Sequence, residues 1–127
     1  MRYIKTFLFT VLLFSFFLAN PFNSLAQDGW ETVTAFQGNG LQTTHPITIL
    51  EDEWRLKWEV TSKSQYGNVF QVYLYDPEKN GLSEVLVNIS NQSNTSSTTY
   101  VYRSGEYYFK INSANVDWKI MIQYPSD

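Results

Sequence analysis

Trp54, Leu56, Trp58 and Val60 alternate with Arg55, Lys57, Glu59 and Thr61, the period-two pattern of a strand with one dry face and one wet face. Helical spacing does not fit this run. Burying its four apolar side chains would contribute on the order of 6 to 12 kcal/mol before chain entropy is set against it, which predicts a strand at the centre of the core. The same alternation recurs in Phe70, Val72 and Leu74, in Tyr107, Phe109 and Ile111, and in Trp118, Ile120, Ile122 and Tyr124.

Turn residues separate these runs at the intervals of an all-β sandwich or barrel. Trp30 to Phe36 predicts a first strand, and Gln37-Gly38-Asn39-Gly40 a tight reversal after it. Leu41 to Leu50 predicts a strand that contains Pro46; proline cannot donate to a ladder, so the strand should be bent or lie at an edge. Asp76-Pro77-Glu78-Lys79-Asn80-Gly81 reads as a hairpin loop, with Leu82 to Ile89 returning beside the preceding strand. Ser90 to Thr99 is purely polar and predicts a mobile loop or plain linker. A short strand at Tyr100 to Arg103 follows, then Ser104-Gly105, the strand Glu106 to Asn112, a turn at Ser113-Ala114-Asn115, and a last strand. The sum is about eight strands and no helix beyond the N-terminal segment, hence an antiparallel, jelly-roll-like β-sandwich.

The N-terminal segment has its own pattern. Arg2 and Lys5 precede the apolar run Phe7 to Leu18, and Ser24-Leu25-Ala26 forms a small-x-small site, which together read as a secretory signal peptide. Residues 1–26 are therefore expected to be the leader and residues 27–127 the sandwich domain, secreted or extracytoplasmic. A retained anchor is the alternative, but Asn20, Pro21 and Asn23 end the run short of the roughly 20 apolar residues a spanning helix needs. No other segment has that length, so no membrane association is expected after cleavage.

Charge and composition exclude several functions. Nine Lys and Arg face twelve Asp and Glu; Arg2 and Lys5 lie in the leader, leaving seven basic residues and a formal charge of −5 after cleavage. The basic residues are scattered singly, which argues against nucleic acid and anionic membranes as partners. The chain has no cysteine, so disulfides, thiolate metal sites and thiol nucleophiles are excluded, and the domain must hold together by its core alone. The single histidine, His45, would have to serve any Ser-His-Asp arrangement, and Thr43-Thr44-His45-Pro46 is not a nucleophile context.

A resemblance rests on Phe36-Gln37-Gly38-Asn39-Gly40 with Thr44 and Pro46, Trp54-Arg55-Leu56-Lys57-Trp58, Phe70-Gln71-Val72-Tyr73, and Gly105 to Asn112 before Trp118. This combination resembles a small exported bacterial β-sandwich domain. Its last two strands are similar, more loosely, to the end of pre-peptidase C-terminal and CUB-like sandwiches. The resemblance implies a fold and no activity. The calcium ligands of CUB-like domains have no clear counterpart here, and their disulfides are missing.

Glu51, Asp52 and Glu53 form one acidic knot, and Asp76 with Glu78 another. Carboxylates suit calcium, which takes 6 to 8 oxygen ligands, so a structural calcium is one reading; a solvated acidic turn is the other. A pair of them could also serve a small carboxylate-dependent hydrolase. Asn88, Asn91 and Asn94 each begin an Asn-x-Ser/Thr triplet, which matters only where glycosylation machinery exists.

Aromatic residues make up 17% of the chain, and tyrosines concentrate in its second half. Opposite the inward positions of two strands lie Tyr73, Tyr75 and Tyr108, to which Tyr100 and Tyr102 could add. On neighbouring strands they would form either a platform for sugar rings or a protein partner, or a cross-strand ladder that stabilises the sheet. The functional expectation is an exported, non-enzymatic binding module for a polysaccharide or a protein of the envelope or secretome, the alternatives being the hydrolase and a structural or inhibitory envelope protein.

Overall fold

A computed structural model describes residues 28–79 and 81–126; the expected leader, with its cleavage after Ala26, and Asn80 lie outside the described residues. Two compact units emerge. In the smaller, which includes residues 28–32 and 125–126, the Ser126 amide donates to the Gly29 carbonyl at 2.8 Å. The larger, Val33–Tyr124, carries the sheets and the core.

The strands are β1 (Trp30–Gly38), β2 (Gln42–Thr43), β3 (Ile47–Ile49), β4 (Trp54–Ser62), β5 (Val69–Asp76), β6 (Gly81–Ser90), β7 (Thr95–Val101), β8 (Gly105–Ala114) and β9 (Val116–Pro125). One sheet has the order β1-β9-β4-β7; the other has β2-β8-β5-β6, with β3 also pairing β8. The chain thus leaves one sheet for the other after β1, β3, β4, β6, β7 and β8, and β2 and β3 share one edge position. This is the double-sheet order of a jelly roll, and the all-β sandwich expected from the alternation is what forms.

Alternation decides the core. Trp54, Leu56, Trp58 and Val60 meet Phe70, Val72, Leu74, Tyr107, Phe109 and Ile111 of the other sheet, and Trp118, Ile120 and Ile122 complete the interior. Aromatic rings bridge the layers: Trp54 lies 6.1 Å from Tyr107 and 6.2 Å from Phe109, and Trp58 lies 5.6 Å from Phe70. Such tilted and edge contacts suit the ring quadrupole. Tyr124 is only partly buried and packs against this cluster.

Five segments depart from the sequence reading. The polar tract expected to be a loop or linker contributes β7, paired with β4 from Trp54↔Val101 to Val60↔Thr95. Apart from buried Val101, its core-side positions are hydroxylic, and Thr99 anchors the strand: Oγ1 donates to the Leu86 carbonyl of β6 at 3.0 Å. That carbonyl sits where the β5–β6 register slips. A strand at the sheet edge needs less apolar surface when its hydroxyl satisfies a backbone group opened by a bulge. The strand expected at Tyr100 to Arg103 is only the end of β7.

Leu41 to Leu50 is two short strands on β8 rather than one. Thr44, between them, keeps the edge attached: its amide donates to the Phe109 carbonyl and its Oγ1 accepts the Phe109 amide, both at 3.0 Å. Pro46 follows, and β3 resumes at Ile47. Gln37 to Gly40 is not a hairpin but a crossing between sheets, since β1 lies beside β9 and β2 beside β8. A Cβ at Gly38 would stand 2.8 Å from the Trp118 ring, so only glycine lets the strand approach that closely. The turn expected over Ser113 to Asn115 narrows to Asn115 alone, at φ 63°, a left-handed position asparagine tolerates.

Candidate functional site

The outer face of the β2-β8-β5-β6 sheet brings three of the expected tyrosines together. On β5, Gln71, Tyr73 and Tyr75 point away from the core that receives Phe70, Val72 and Leu74. On β8, Tyr108, Lys110 and Asn112 do the same. Register sets them in rows: Gln71 lies between Asn88 and Asn112, Tyr73 between Val85 and Lys110, and Tyr75 between Leu82 and Tyr108. Successive rows are two residues apart along the strand, roughly 7 Å.

Each row has its own chemistry. In the first, Gln71 Nε2 donates to Asn88 Oδ1 at 3.0 Å and Gln71 Oε1 accepts from Asn112 Nδ2 at 2.7 Å, an amide ladder across three strands. In the third, Tyr75 and Tyr108 stack at 5.3 Å with an 18° angle between ring planes, and the Lys110 ammonium lies 4.7 Å from the Tyr75 centroid. Tyr73, in the middle row, has no ring or side-chain hydrogen-bond partner among the described residues. The stacked pair is a cross-strand ladder, whereas Tyr73 keeps an unengaged ring between amides and aromatics.

Leu82 and Val85, 51% and 46% exposed, extend the apolar part of this face. Sequence reasoning did not single them out, because alternation counted back from buried Val87 would place only one of them on this side. Register slips between Val72 and Tyr73 and between Leu74 and Tyr75 insert extra residues into β6, so Leu86 and Val87 are both buried and Val85 and Leu82 both turn outward beside tyrosines. Gln71, Asn88 and Asn112 were legible as outward positions, but not as neighbours.

Tyr100 and Tyr102 do not join the platform. Tyr100 lies on β7, opposite Arg55 of β4 in the other sheet, where the Arg55 guanidinium donates to its hydroxyl at 3.5 Å. Tyr102 follows the end of β7 and is 69% exposed. Two stretches of sequence rich in tyrosine therefore feed two different sheets.

The acidic candidates sit apart from this face. Glu51, Asp52 and Glu53 are exposed in the connection before β4. Asp76 Oδ1 accepts the Glu78 amide at 2.9 Å and the Lys79 amide at 3.4 Å, so its carboxylate closes the β5–β6 turn. Among the described residues no group of three or more acidic or histidine side chains converges where it could hold a metal ion. His45 is exposed between β2 and β3. At the same end of the hairpin, Arg103 donates to Ser83 Oγ at 2.7 Å and pairs with Glu84 at 3.4 Å; the Tyr107 hydroxyl first, then Glu84, hold its guanidinium above the ordinary arginine value.

No protein-family model, curated protein or solved structure matches this chain. Site chemistry alone therefore carries the functional argument. Among the described residues no helix is long and apolar enough to cross a membrane.

Proposed function

We propose that this protein is an exported, non-enzymatic binding module that takes a polysaccharide on the outer face of its five-stranded sheet. The observation that carries the reading is the Tyr73 ring, unengaged and flanked on one side by the Asn88–Gln71–Asn112 ladder and on the other by the Tyr75–Tyr108 stack. Sugar rings present apolar C–H faces and a rim of hydroxyls. An aromatic ring suits the first and planar amides suit the second. The sheet face offers both in adjacent rows, amides beside aromatic rings. The cation of the face, Lys110, is already directed at Tyr75, and the net negative charge of the domain disfavours polyanions, so neutral polysaccharides are the ligand class.

Export follows from the leader at residues 1–26 and accounts for a ligand outside the cell. Isothermal titration against neutral cell-wall and plant polysaccharides tests the function. Tyr73→Ala is expected to weaken binding about tenfold, equivalent to about 1.4 kcal/mol, with the thermal midpoint little changed. Binding that survives both Tyr73→Ala and Gln71→Ala would overturn the assignment to this face. Capture of a secreted protein instead, abolished by the same substitutions, would replace the sugar with a protein partner.

A further inference from the structure

A cleft away from the sheet face has its own chemistry. It has a volume of about 730 Å³ and lies at one end of the sandwich, between the β4–β5 connection and the β6–β7 connection. Every side chain lining it is uncharged, and all but Tyr66 and Gly67 are Ser, Asn or Gln. Pockets for small molecules run from roughly 300 to 1,000 Å³.

The cleft is built rather than incidental. Asn68 is buried, and its amide holds both connections: Nδ2 donates to the Gln92 carbonyl at 2.7 Å and to Ser62 Oγ at 3.2 Å, and Oδ1 accepts the Gln92 amide at 3.1 Å. Gly67 has φ 110° and Asn91 φ 56°, both left-handed positions held by their surroundings: Gly67 gives its carbonyl to Asn115 Nδ2 at 3.0 Å, and Asn91 Oδ1 accepts the Asn68 amide at 3.3 Å. Asn94 Oδ1 accepts the Ser62 amide at 3.0 Å. These bonds use the amide oxygens of Asn91 and Asn94 and leave their NH2 groups as donors. The Gln65 and Ser93 side chains make no hydrogen bond among the described residues, and Tyr66 stands 86% exposed at the rim.

A rigid, neutral wall of amide donors, amide acceptors and hydroxyls with one projecting aromatic ring matches a small polyhydroxylated molecule. It offers no counter-charge to a phosphate, carboxylate or ammonium, and little apolar surface to a hydrocarbon. We infer that this cleft is a second binding site, independent of the sheet face, for a neutral saccharide of one or two rings, with Tyr66 stacking on the ring and Gln65, Ser93 and the Asn91 and Asn94 amides bonding its hydroxyls.

The test is a nuclear magnetic resonance titration of the full domain with glucose, galactose, mannose, N-acetylglucosamine, cellobiose and maltose. At least one sugar is expected to give saturable shifts, with a millimolar or tighter dissociation constant, confined to amides of residues 62–68 and 91–94. Tyr66→Ala and Gln65→Ala, both at exposed positions, should each weaken that binding about tenfold. Tyr102→Ala, at an exposed position in neither site, should not change it. No saturable shift with any of the six sugars, or shifts unaffected by Tyr66→Ala and Gln65→Ala together, would overturn the inference. Amides of residues 71–75 and 108–112 report the sheet face in the same spectra, so failure of one site is read apart from failure of the other.

Discussion

Asn68 and Gln92 are joined as two strands would be: the side-chain amide of Asn68 gives a hydrogen to the Gln92 carbonyl at 2.7 Å and takes one from the Gln92 amide at 3.1 Å. A buried side chain stands in for a missing ladder partner and closes the end of the sandwich where β4 leaves for β5 and β6 leaves for β7. Removing it strands several polar groups at once. Asn68→Ala is expected to cost about 1 to 3 kcal/mol, a fall of several degrees in melting temperature for a domain of this size. Asn68→Asp should also destabilise, because an oxygen would face the Gln92 carbonyl. Thermal melts followed by tryptophan fluorescence decide both.

The Tyr75–Tyr108 stack is a stability element, and Tyr73 is not. A double-mutant cycle with Tyr75→Ala and Tyr108→Ala is expected to show a coupling of about 0.5 to 1.5 kcal/mol in denaturant unfolding. Tyr73→Ala should cost less than either single change, and coupling to Tyr75 should be weaker than that of Tyr108. A Tyr73–Tyr75 coupling as large as the Tyr75–Tyr108 coupling would contradict the division of labour on this face.

Three core tryptophans differ in how their indole N–H groups are served. Trp54 Nε1 donates to the Arg103 carbonyl at 2.9 Å and Trp118 Nε1 to the Gly40 carbonyl at 3.3 Å, whereas Trp58 Nε1 is buried without a partner among the described residues. Trp54→Phe loses a bond and leaves the Arg103 carbonyl only the longer contact from the Tyr107 hydroxyl at 3.4 Å; Trp58→Phe removes a group that burial penalises. Urea unfolding should therefore show the larger loss for Trp54→Phe, although both lose ring volume.

Thr99 ties β7 to the bulged carbonyl of Leu86. Thr99→Val keeps the shape and removes the hydroxyl, so it is expected to cost about 0.5 to 1.5 kcal/mol despite adding a methyl group to the interior. Hydrogen exchange should then accelerate first in Thr95–Val101. A neutral or stabilising Thr99→Val would mean that β7 is held by its ladder to β4 alone.

What the amino-acid order determined by itself is the layering. Every second residue of 54–60, 70–74, 107–111 and 118–122 is buried, because side chains on an extended chain can only alternate between two faces, and apolar ones must share the same side. The hairpin turn at Asp76 was legible for a similar reason: its cues are local. What only the tertiary structure decided is who stands beside whom. Tyr73 and Tyr100 carry the same outward signal in the sequence, yet register and sheet membership send them to different sheets. The polar run before Val101 offers no apolar period, and becomes a strand because β4 presents a ladder edge and β6 a bulged carbonyl for Thr99. The amide-lined cleft is likewise invisible along the chain, since its two walls lie more than twenty residues apart in sequence and meet only when Asn68 bonds Gln92. Hydrogen bonds and ring stacks form across strands, and strand pairing is settled by the whole core at once, not by any one segment.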